Sequence, residues 1–335
     1  MPVFRRDLVV AGASAGGVEA LRSLAASLPA DFPAAMLVTM HLSPGIHSAL
    51  PQILDRAGPL PAISAVHGAP LTPGVIHVSP PDRHLLVDDG VVVLTKGPTE
   101  NGHRPAINAT FRSAAVAAGP RAVGVILSGS LDDGALGLRA IVDRGGAAVV
   151  QDPADALYAG MPESALAQVA TEHVLPIREI GPALDKLVRI PWEPFPVEPA
   201  SPGLLLEDRI AHDGVRPGAT TPRPGYTCPD CQGTLTEMAG ESGRHGHYRC
   251  RIGHAWSAEA LLGARDAEFQ RALWTALRSL DEKAALAARL RGESALRRHL
   301  LLVERYSGTA RECTSAAETL RRFLISLAPG GDPEL

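Results

Sequence analysis

The segment Leu8-Val9-Val10-Ala11-Gly12-Ala13-Ser14-Ala15-Gly16-Gly17 runs from an apolar, strand-like stretch into a glycine-rich turn, and the amphipathic stretch Val18–Ser27 follows it. Strand, tight turn and helix in that order open a β-α-β unit. The alternation continues to about Leu187. Further candidate strands are Ala35–Met40, Val75–Val78, Val91–Leu94, Ala122–Leu127, Ala147–Val150 and His173–Leu175, and helical stretches lie at Ala106–Ala117, Leu136–Asp143 and Glu163–Ala167. Leu8–Val10, Ala35–Met40, Ala122–Leu127 and Ala147–Val150 are short, apolar on both faces and bounded by glycine or serine, as strands covered on both sides by helices are. The expected fold is α/β: a doubly wound, mainly parallel, Rossmann-like three-layer sheet, with ligands outside the carboxyl ends of its strands.

A chain of 335 residues, 45% hydrophobic and 20% charged, is long enough for one large core and a smaller appended unit. The net charge of -4 is small and mixed in sign, so no polybasic surface argues for nucleic acid. No stretch approaches the roughly 18 uninterrupted apolar residues of a spanning helix. Arg5 and Arg6 before an apolar run imitate a signal peptide, but Asp7 and Gly12, Gly16 and Gly17 break that run and fit a strand and turn better. A cytoplasmic location is expected. Three of the four cysteines crowd between Cys228 and Cys250, which suits a metal site in a reducing compartment better than a disulfide framework.

Residues 1–190 form the α/β unit in this reading, and 191–225, with a proline every few residues, form a semi-extended linker. Residues 226–256 make a compact cysteine and histidine module. From 257 to 328 the chain turns helical, with apolar stripes at Phe269, Leu273, Leu277 and Leu280, and at Leu296, Leu300, Val303, Ala310, Cys313, Leu320, Leu324 and Leu327. Gly292 lies between the stripes, so a helical hairpin is expected.

A serine in a turn between strand and helix stands beside helix N–H groups that favour developing negative charge. A glycine-rich loop after a first strand also suits a dinucleotide pyrophosphate, as in short-chain dehydrogenases. Those enzymes need Tyr with Lys four residues on, whereas Tyr158, Tyr226, Tyr248 and Tyr306 precede Pro162, Asp230, Ile252 and Ala310. Gly12-Ala13-Ser14-Ala15-Gly16 also matches the nucleophile elbow of α/β-hydrolases, but that fold places several strands before its serine. The remaining reading is a Ser-His-Asp triad drawn from neighbouring strand ends in any chain order. His41 ends the second strand. Asp133 follows the fifth, with Asp132 beside it as a rival.

Together these motifs resemble the catalytic domain of the CheB-type protein-glutamate methylesterases of bacterial chemotaxis, from about Asp7 to Leu187. The residues that carry the likeness are Gly12–Gly17, His41-Leu42-Ser43-Pro44, His103-Arg104-Pro105, Gly129–Ala135 and Gly160-Met161-Pro162. The resemblance implies Ser14 as nucleophile, His41 as base and Asp133 as the orienting acid, because Asp133 directly precedes Gly134-Ala135. It implies hydrolysis of glutamate methyl esters on chemoreceptor-like proteins, deamidation of selected glutamines, and no catalytic cofactor. Ala15, Ser130, His84, His103, Arg104 and Met161 are together the expected substrate and oxyanion contacts, any oxyanion donors in the aspartate loop being backbone N–H groups. Ala15 and Ser130-Leu131 depart from the family's usual Thr and Met-Gly, which bears on substrate preference. The likeness begins within ten residues of Met1, so the reading expects no preceding receiver domain and no control by phosphorylation in cis.

Cys228-Pro229-Asp230-Cys231 and Cys250-Arg251-Ile252-Gly253-His254 give C-x2-C and C-x3-H. Four such ligands suit a closed, structural, tetrahedral zinc site, with His245 and His247 as alternative fourth ligands. Charges around the module are balanced and its aromatics few, so protein docking is expected of it rather than nucleic acid. A scaffold that binds signalling partners without catalysis is the rival to the hydrolase.

Overall fold

The computed structural model describes residues 4–42, 48–192, 199–213, 226–238 and 247–327. In chain order the elements are β1 (Leu8–Ala13), α1 (Gly17–Ser27), β2 (Ala35–Met40), α2 (Leu50–Ala57), β3 (Ala62–Ser64), β4 (Ile76–Val78), β5 (His84–Asp88), β6 (Val91–Thr95), α3 (Ile107–Ala118), β7 (Ala122–Ile126), α4 (Ala135–Asp143), β8 (Ala147–Gln151), α5 (Gly160–Gln168), β9 (Val174–Leu175) and α6 (Ile177–Arg189). There follow α7 (Pro202–Asp213), β10 (Leu235–Met238), β11 (His247–Cys250), β12 (Ala255–Trp256), α8 (Ala258–Leu296) and α9 (Leu300–Ser326).

A seven-stranded sheet in the order β3-β4-β2-β1-β7-β8-β9 is parallel throughout, with β1 at its centre. Period-two alternation explains the layers. Val9, Ala11 and Ala13 of β1 face one side, where Leu21 and Leu24 of α1, Leu54 of α2 and Leu184 and Val188 of α6 cover them. Leu8 and Val10 face the other, under Ile107 and Phe111 of α3, Leu138 of α4 and Met161 of α5. Each fully buried Val or Leu contributes about 1.5–3 kcal/mol, which is why the continuous apolar strands sit in the middle. The doubly wound architecture is as expected. Val91–Leu94 instead lies in β6, which pairs with β5 as a separate antiparallel hairpin packed on α3.

Two segments differ from the sequence reading. Within 191–225, read as an extended linker, Pro202–Asp213 is helical. Proline at the first helical position is compatible with a helix, and the apolar Ile210 and Ala211 behind it are fully buried. The hairpin also turns later than Gly292, because α8 continues to Leu296 and the left-handed residue is Arg298 (φ 58).

The chain divides into two compact units, Met1–Leu261 and Leu262–Leu335. The cysteine and histidine module therefore belongs to the body of the α/β unit. The second unit is the helical hairpin, closed by Leu277, Ala317 and Leu324. Among the described residues, no helix is long and apolar enough to cross a membrane.

Candidate active site

Three strand ends meet at the carboxyl edge of the sheet. At the end of β1, the Ser14 N–H donates to the Ser128 carbonyl (3.0 Å), which carries the β1–β7 ladder one step further. Gly16 then reverses the chain into α1 with φ 70, and a Cβ there would lie 2.8 Å from Ser128 Oγ. Only glycine fits both demands. Ser14 is left half-buried at the rim.

His41 follows the last residue of β2, and its Nδ1 lies 3.0 Å from Ser14 Oγ while its Nε2 lies 2.7 Å from Asp133 Oδ2. An ionised carboxylate only accepts hydrogen bonds, so Nε2 carries the proton and the lone pair of Nδ1 faces the serine hydroxyl. Asp133 is 2% exposed. Its Oδ2 also accepts the N–H of Ile107 (2.7 Å) and its Oδ1 that of Asn108 (3.2 Å), the opening amides of α3. Burial alone would raise this carboxyl, but the hydrogen bond and charge of His41, the charge of His103 and the Ile107 N–H outweigh it and hold Asp133 below the usual range.

The His103 ring stacks on the His41 ring, with centroids 3.7 Å apart and planes 10° from parallel. Burial, aided by the charge of His41, pushes His103 down to about 4, so it is neutral at neutral pH. Beside it opens a cleft of about 260 Å³ lined by His41, Leu42, Asp82, Thr99, Gly102, His103 and Arg104. Arg104 is fixed there by Asp82 (2.6 Å) and by the Gly97 carbonyl (2.8 Å).

The N–H groups of Ala15 and Ser130 donate to no other described residue, and Ser130 is exposed. The loop at Gly129 comes close to Ser14, since a Cβ at Gly129 would lie 3.0 Å from Ser14 Cβ and 2.1 Å from Met161 Sδ. Met161 is buried beneath that loop and donates its N–H to the Gly129 carbonyl (2.9 Å). His84, also read as a cleft residue, is fully buried: its Nε2–H donates to the Pro98 carbonyl (2.9 Å) and its Nδ1 accepts the Ala106 N–H (3.3 Å). Met161 and His84 thus brace the walls and do not face a substrate. Of the His41-Leu42-Ser43-Pro44 motif, Ser43 and Pro44 lie outside the described residues, as does His245.

Several residues of the site escaped the sequence reading. Ser128 Oγ donates to the Ala15 carbonyl (2.8 Å) and accepts the Tyr158 N–H (3.0 Å), while Gln151 Oε1 accepts the Ser128 N–H (2.9 Å). Asn108 Oδ1 accepts the N–H groups of Gly134 (3.1 Å) and Gly137 (2.8 Å), tying α4 to α3. Asp133, not the rival Asp132, is the carboxylate that meets His41; the carboxyl of Asp132 accepts from Ser257 Oγ (2.7 Å). Burial pushes it up to about 6.

Cys228, Cys231, Cys250 and His254 gather in the same unit, all four ligand atoms within 4.8 Å of one another. Cys231 Sγ and Cys250 Sγ are 3.6 Å apart, and His254 Nδ1 is 3.6 Å from the Sγ atoms of both Cys228 and Cys250. A tetrahedron with Zn–S of about 2.3 Å and Zn–N of about 2.0–2.1 Å has edges of about 3.6–3.8 Å, which these three separations match, and three thiolates with one imidazole are a ligand set that suits structural zinc. His247 stands apart, 3.0 Å from Glu207.

Comparison with known proteins gives one consistent likeness. The sequence model of the family described as CheB methylesterase matches residues 9–184. A protein-glutamate methylesterase/protein-glutamine glutaminase of Anaeromyxobacter dehalogenans is 40% identical over 185 residues, covering 55% of this chain and 54% of its own. The protein-glutamate methylesterase FrzG of Myxococcus xanthus is 37% identical over 184 residues, 55% of either chain. The chain thus spans about half the length of the curated relatives it matches. The crystal structure of the Thermotoga maritima CheB methylesterase catalytic domain superposes with a TM-score of 0.53 at 31% identity, over 55% of this chain and 100% of that one.

Proposed function

The chain belongs to the CheB methylesterase family, and from that membership we propose that it is a serine hydrolase that removes methyl esters from glutamate side chains of chemoreceptor-like proteins. By the same acyl chemistry it deamidates selected glutamines. The observation that carries this reading is the continuous line from Ser14 Oγ through His41 to Asp133, with links of 3.0 and 2.7 Å.

In the proposed reaction Ser14 Oγ attacks the ester carbonyl carbon as its proton passes to His41 Nδ1. Asp133 stabilises the imidazolium through Nε2–H, and the N–H groups of Ala15 and Ser130 receive the developing oxyanion. Collapse of the adduct breaks the C–O bond to methoxide, which leaves as methanol with the proton from Nδ1. Water, deprotonated at the same nitrogen, then cleaves the acyl-serine to free glutamate. His103, neutral and flat on His41, keeps the imidazole in line, while the cleft beside Arg104 takes the peptide around the ester. No step needs a cofactor. In the appended module the three cysteines and His254 would hold a zinc ion, whose contribution when bound is structural. A reducing cytoplasm accords with that thiol cluster.

Methanol release from a methyl-labelled receptor, with and without Ser14→Ala, tests the assignment. Release by the wild type and its loss in the variant are expected. Equal release from both would remove the hydrolase reading and leave a partner-binding scaffold.

A further inference from the structure

The two ligand pairs of the module sit directly behind the loop that carries His103. Glu100-Asn101-Gly102-His103 is a tight turn closed by hydrogen bonds in both directions between Glu100 and His103 (Glu100 N–H to His103 carbonyl 3.1 Å, His103 N–H to Glu100 carbonyl 2.8 Å). Its two central residues have φ 50 and 76, the form that an Asn-Gly pair favours. Such a turn is stiff within itself, but its position depends on what holds its base.

The module holds that base from both sides. Within the first ligand pair, between Cys228 and Cys231, Asp230 accepts from Thr99 Oγ1 (2.6 Å). Directly after the second pair, the Ala255 N–H donates to the Thr99 carbonyl (3.0 Å), and the Ala255 carbonyl accepts the Asn101 N–H (2.7 Å). Asn101 Oδ1 accepts the Ser257 N–H (2.8 Å), and Ser257 Oγ reaches Asp132, the neighbour of the catalytic carboxylate. Underneath, Arg249, one residue before Cys250, lies buried between Glu207 of α7 and Glu100 of the turn (3.1 Å to Glu100). Glu100 also pairs with Arg112 of α3.

The strands that make these contacts are short. β12 has two residues and β10 and β11 four each, so this three-stranded sheet has little apolar surface of its own and depends on its packing against the α/β unit and on its four ligand side chains. The Cys250–His254 turn is held by the Cys250 N–H on the His254 carbonyl (3.1 Å) and by Arg249 on the Gly253 carbonyl (2.6 Å), and ligation of the four side chains would add its own constraint on the direction of Ala255 and Ser257, because in small metal modules binding free energy contributes to folding free energy. We propose that the Cys228, Cys231, Cys250 and His254 site is a positioning device for the hydrolase: with a zinc ion bound it locks Ala255 and Ser257 against Thr99, Asn101 and Asp132, and so holds His103 on His41 and seats the Asp133 loop. Asn101 and Ser257 are positioning residues, acting through His103 and Asp132. The kinetic consequence rests on the hydrolase reading; the mechanical link does not.

The test uses the full chain loaded with zinc, its metal content measured. Hydrogen exchange is followed in peptides covering 99–104, 255–257 and, as an internal control, β7. Removing zinc with a chelator, or ligation with Cys231→Ser, is expected to speed exchange in 99–104 and 255–257 by about tenfold or more while β7 stays protected, and adding zinc sulfate to the chelated protein reverses it. Ester hydrolysis falls in parallel, mainly in kcat.

Should chelation open β7 as well, the zinc-loaded Asn101 variants decide the matter. Asn101→Gly keeps the backbone conformation but removes the acceptor for Ser257, and should lower kcat by about tenfold with zinc content unchanged. Asn101→Asp, which keeps an acceptor, should recover most of it. Unchanged exchange in 99–104 after zinc loss, full kcat in Asn101→Gly, or a folded chain that binds no zinc overturns the proposal. A zinc-loaded wild type that cleaves no ester, but whose loop loosens on zinc loss, refutes the hydrolase reading and leaves the metal-to-loop link standing.

Discussion

The imidazole of His103 covers one face of the imidazole of His41 at 3.7 Å. Because Nδ1 and Nε2 of His41 must each point at a fixed partner, rotation of the ring about its side-chain bonds breaks both contacts at once, and a flat neighbour opposes that rotation. Planarity, rather than titration, is then what position 103 requires, since burial keeps His103 neutral above about pH 4. His103→Phe should retain kcat within about fivefold at pH 7.5, whereas His103→Ala should lose about 10- to 100-fold with KM less affected, as expected when a base is mispositioned. Steady-state methanol release distinguishes them, and an Ala variant as active as the Phe variant would refute the role.

Asp133 tests the orientation of His41 in another way. An amide at this position can turn its NH2 toward Nε2, which shifts the imidazole proton to Nδ1 and removes the lone pair that faces Ser14. Asp133→Asn is expected to cost about 10²- to 10⁴-fold in kcat. The carboxylate also bears on stability. Its folded pKa is depressed, so its stabilising contribution is present above the ordinary carboxylate value of 3.8 and lost as pH falls through the lower folded value. Thermal melts should therefore show the wild type losing stability below about pH 4 more steeply than Asp133→Asn.

The parts of this site that were legible in the sequence are those fixed by short-range pattern. Leu8–Ala13 is apolar on both faces, which already makes it a central strand, and Ser14, His41 and Asp133 each follow a strand closely enough for the parallel sheet to bring them to one edge. The nitrogen that His41 offers to the serine was not legible, because it depends on a side-chain rotation and on the α3 amides of Ile107 and Asn108 that seat Asp133. α7 was hidden by the prolines around it; its helix is held by burial of Ile210 and Ala211, which no local pattern announces. The docking of the module was equally invisible, since Arg249 and Glu100 meet across 149 residues of chain.

Asp132 is the reverse case of its neighbour. Burial raises its pKa from 3.8 to about 6 despite the hydrogen bond from Ser257. A raised acid binds more protons folded than unfolded, so its cost appears as pH rises from about 4 to 6 and is complete above that. Asn at this position keeps an acceptor for Ser257 without the charge. Asp132→Asn should thus stabilise the protein by about 1–3 kcal/mol at pH 8 and by nothing below about pH 4. Melting curves at the two pH values check this; an equal shift at both would exclude the charge as the cause.

Arg249 is 1% exposed, with Nε and Nη2 on Glu207, Nη1 on the Gly253 carbonyl (2.6 Å) and Nη2 also on Glu100. A guanidinium this deeply buried is tolerated only while its partners balance it, and removing one leaves an uncompensated charge. Burial would raise Glu207, but the charges of His247 and Arg249 hold it well below the usual carboxylate range, so it is ionised wherever the protein is folded near neutrality. Glu207→Ala should therefore destabilise the α/β unit by about 3–5 kcal/mol, and Arg249→Lys, which cannot bridge three partners with one fixed fork, by a comparable amount. Replacing the pair together, Glu207→Leu with Arg249→Met, removes both charges but leaves Glu100 with Arg112 alone. The double variant should recover a substantial part of the loss, because two buried ions are replaced by apolar volume. A double-mutant cycle by denaturant titration measures the coupling, and a double variant no more stable than the sum of the single losses would show that Arg249 and Glu207 do not act as a pair.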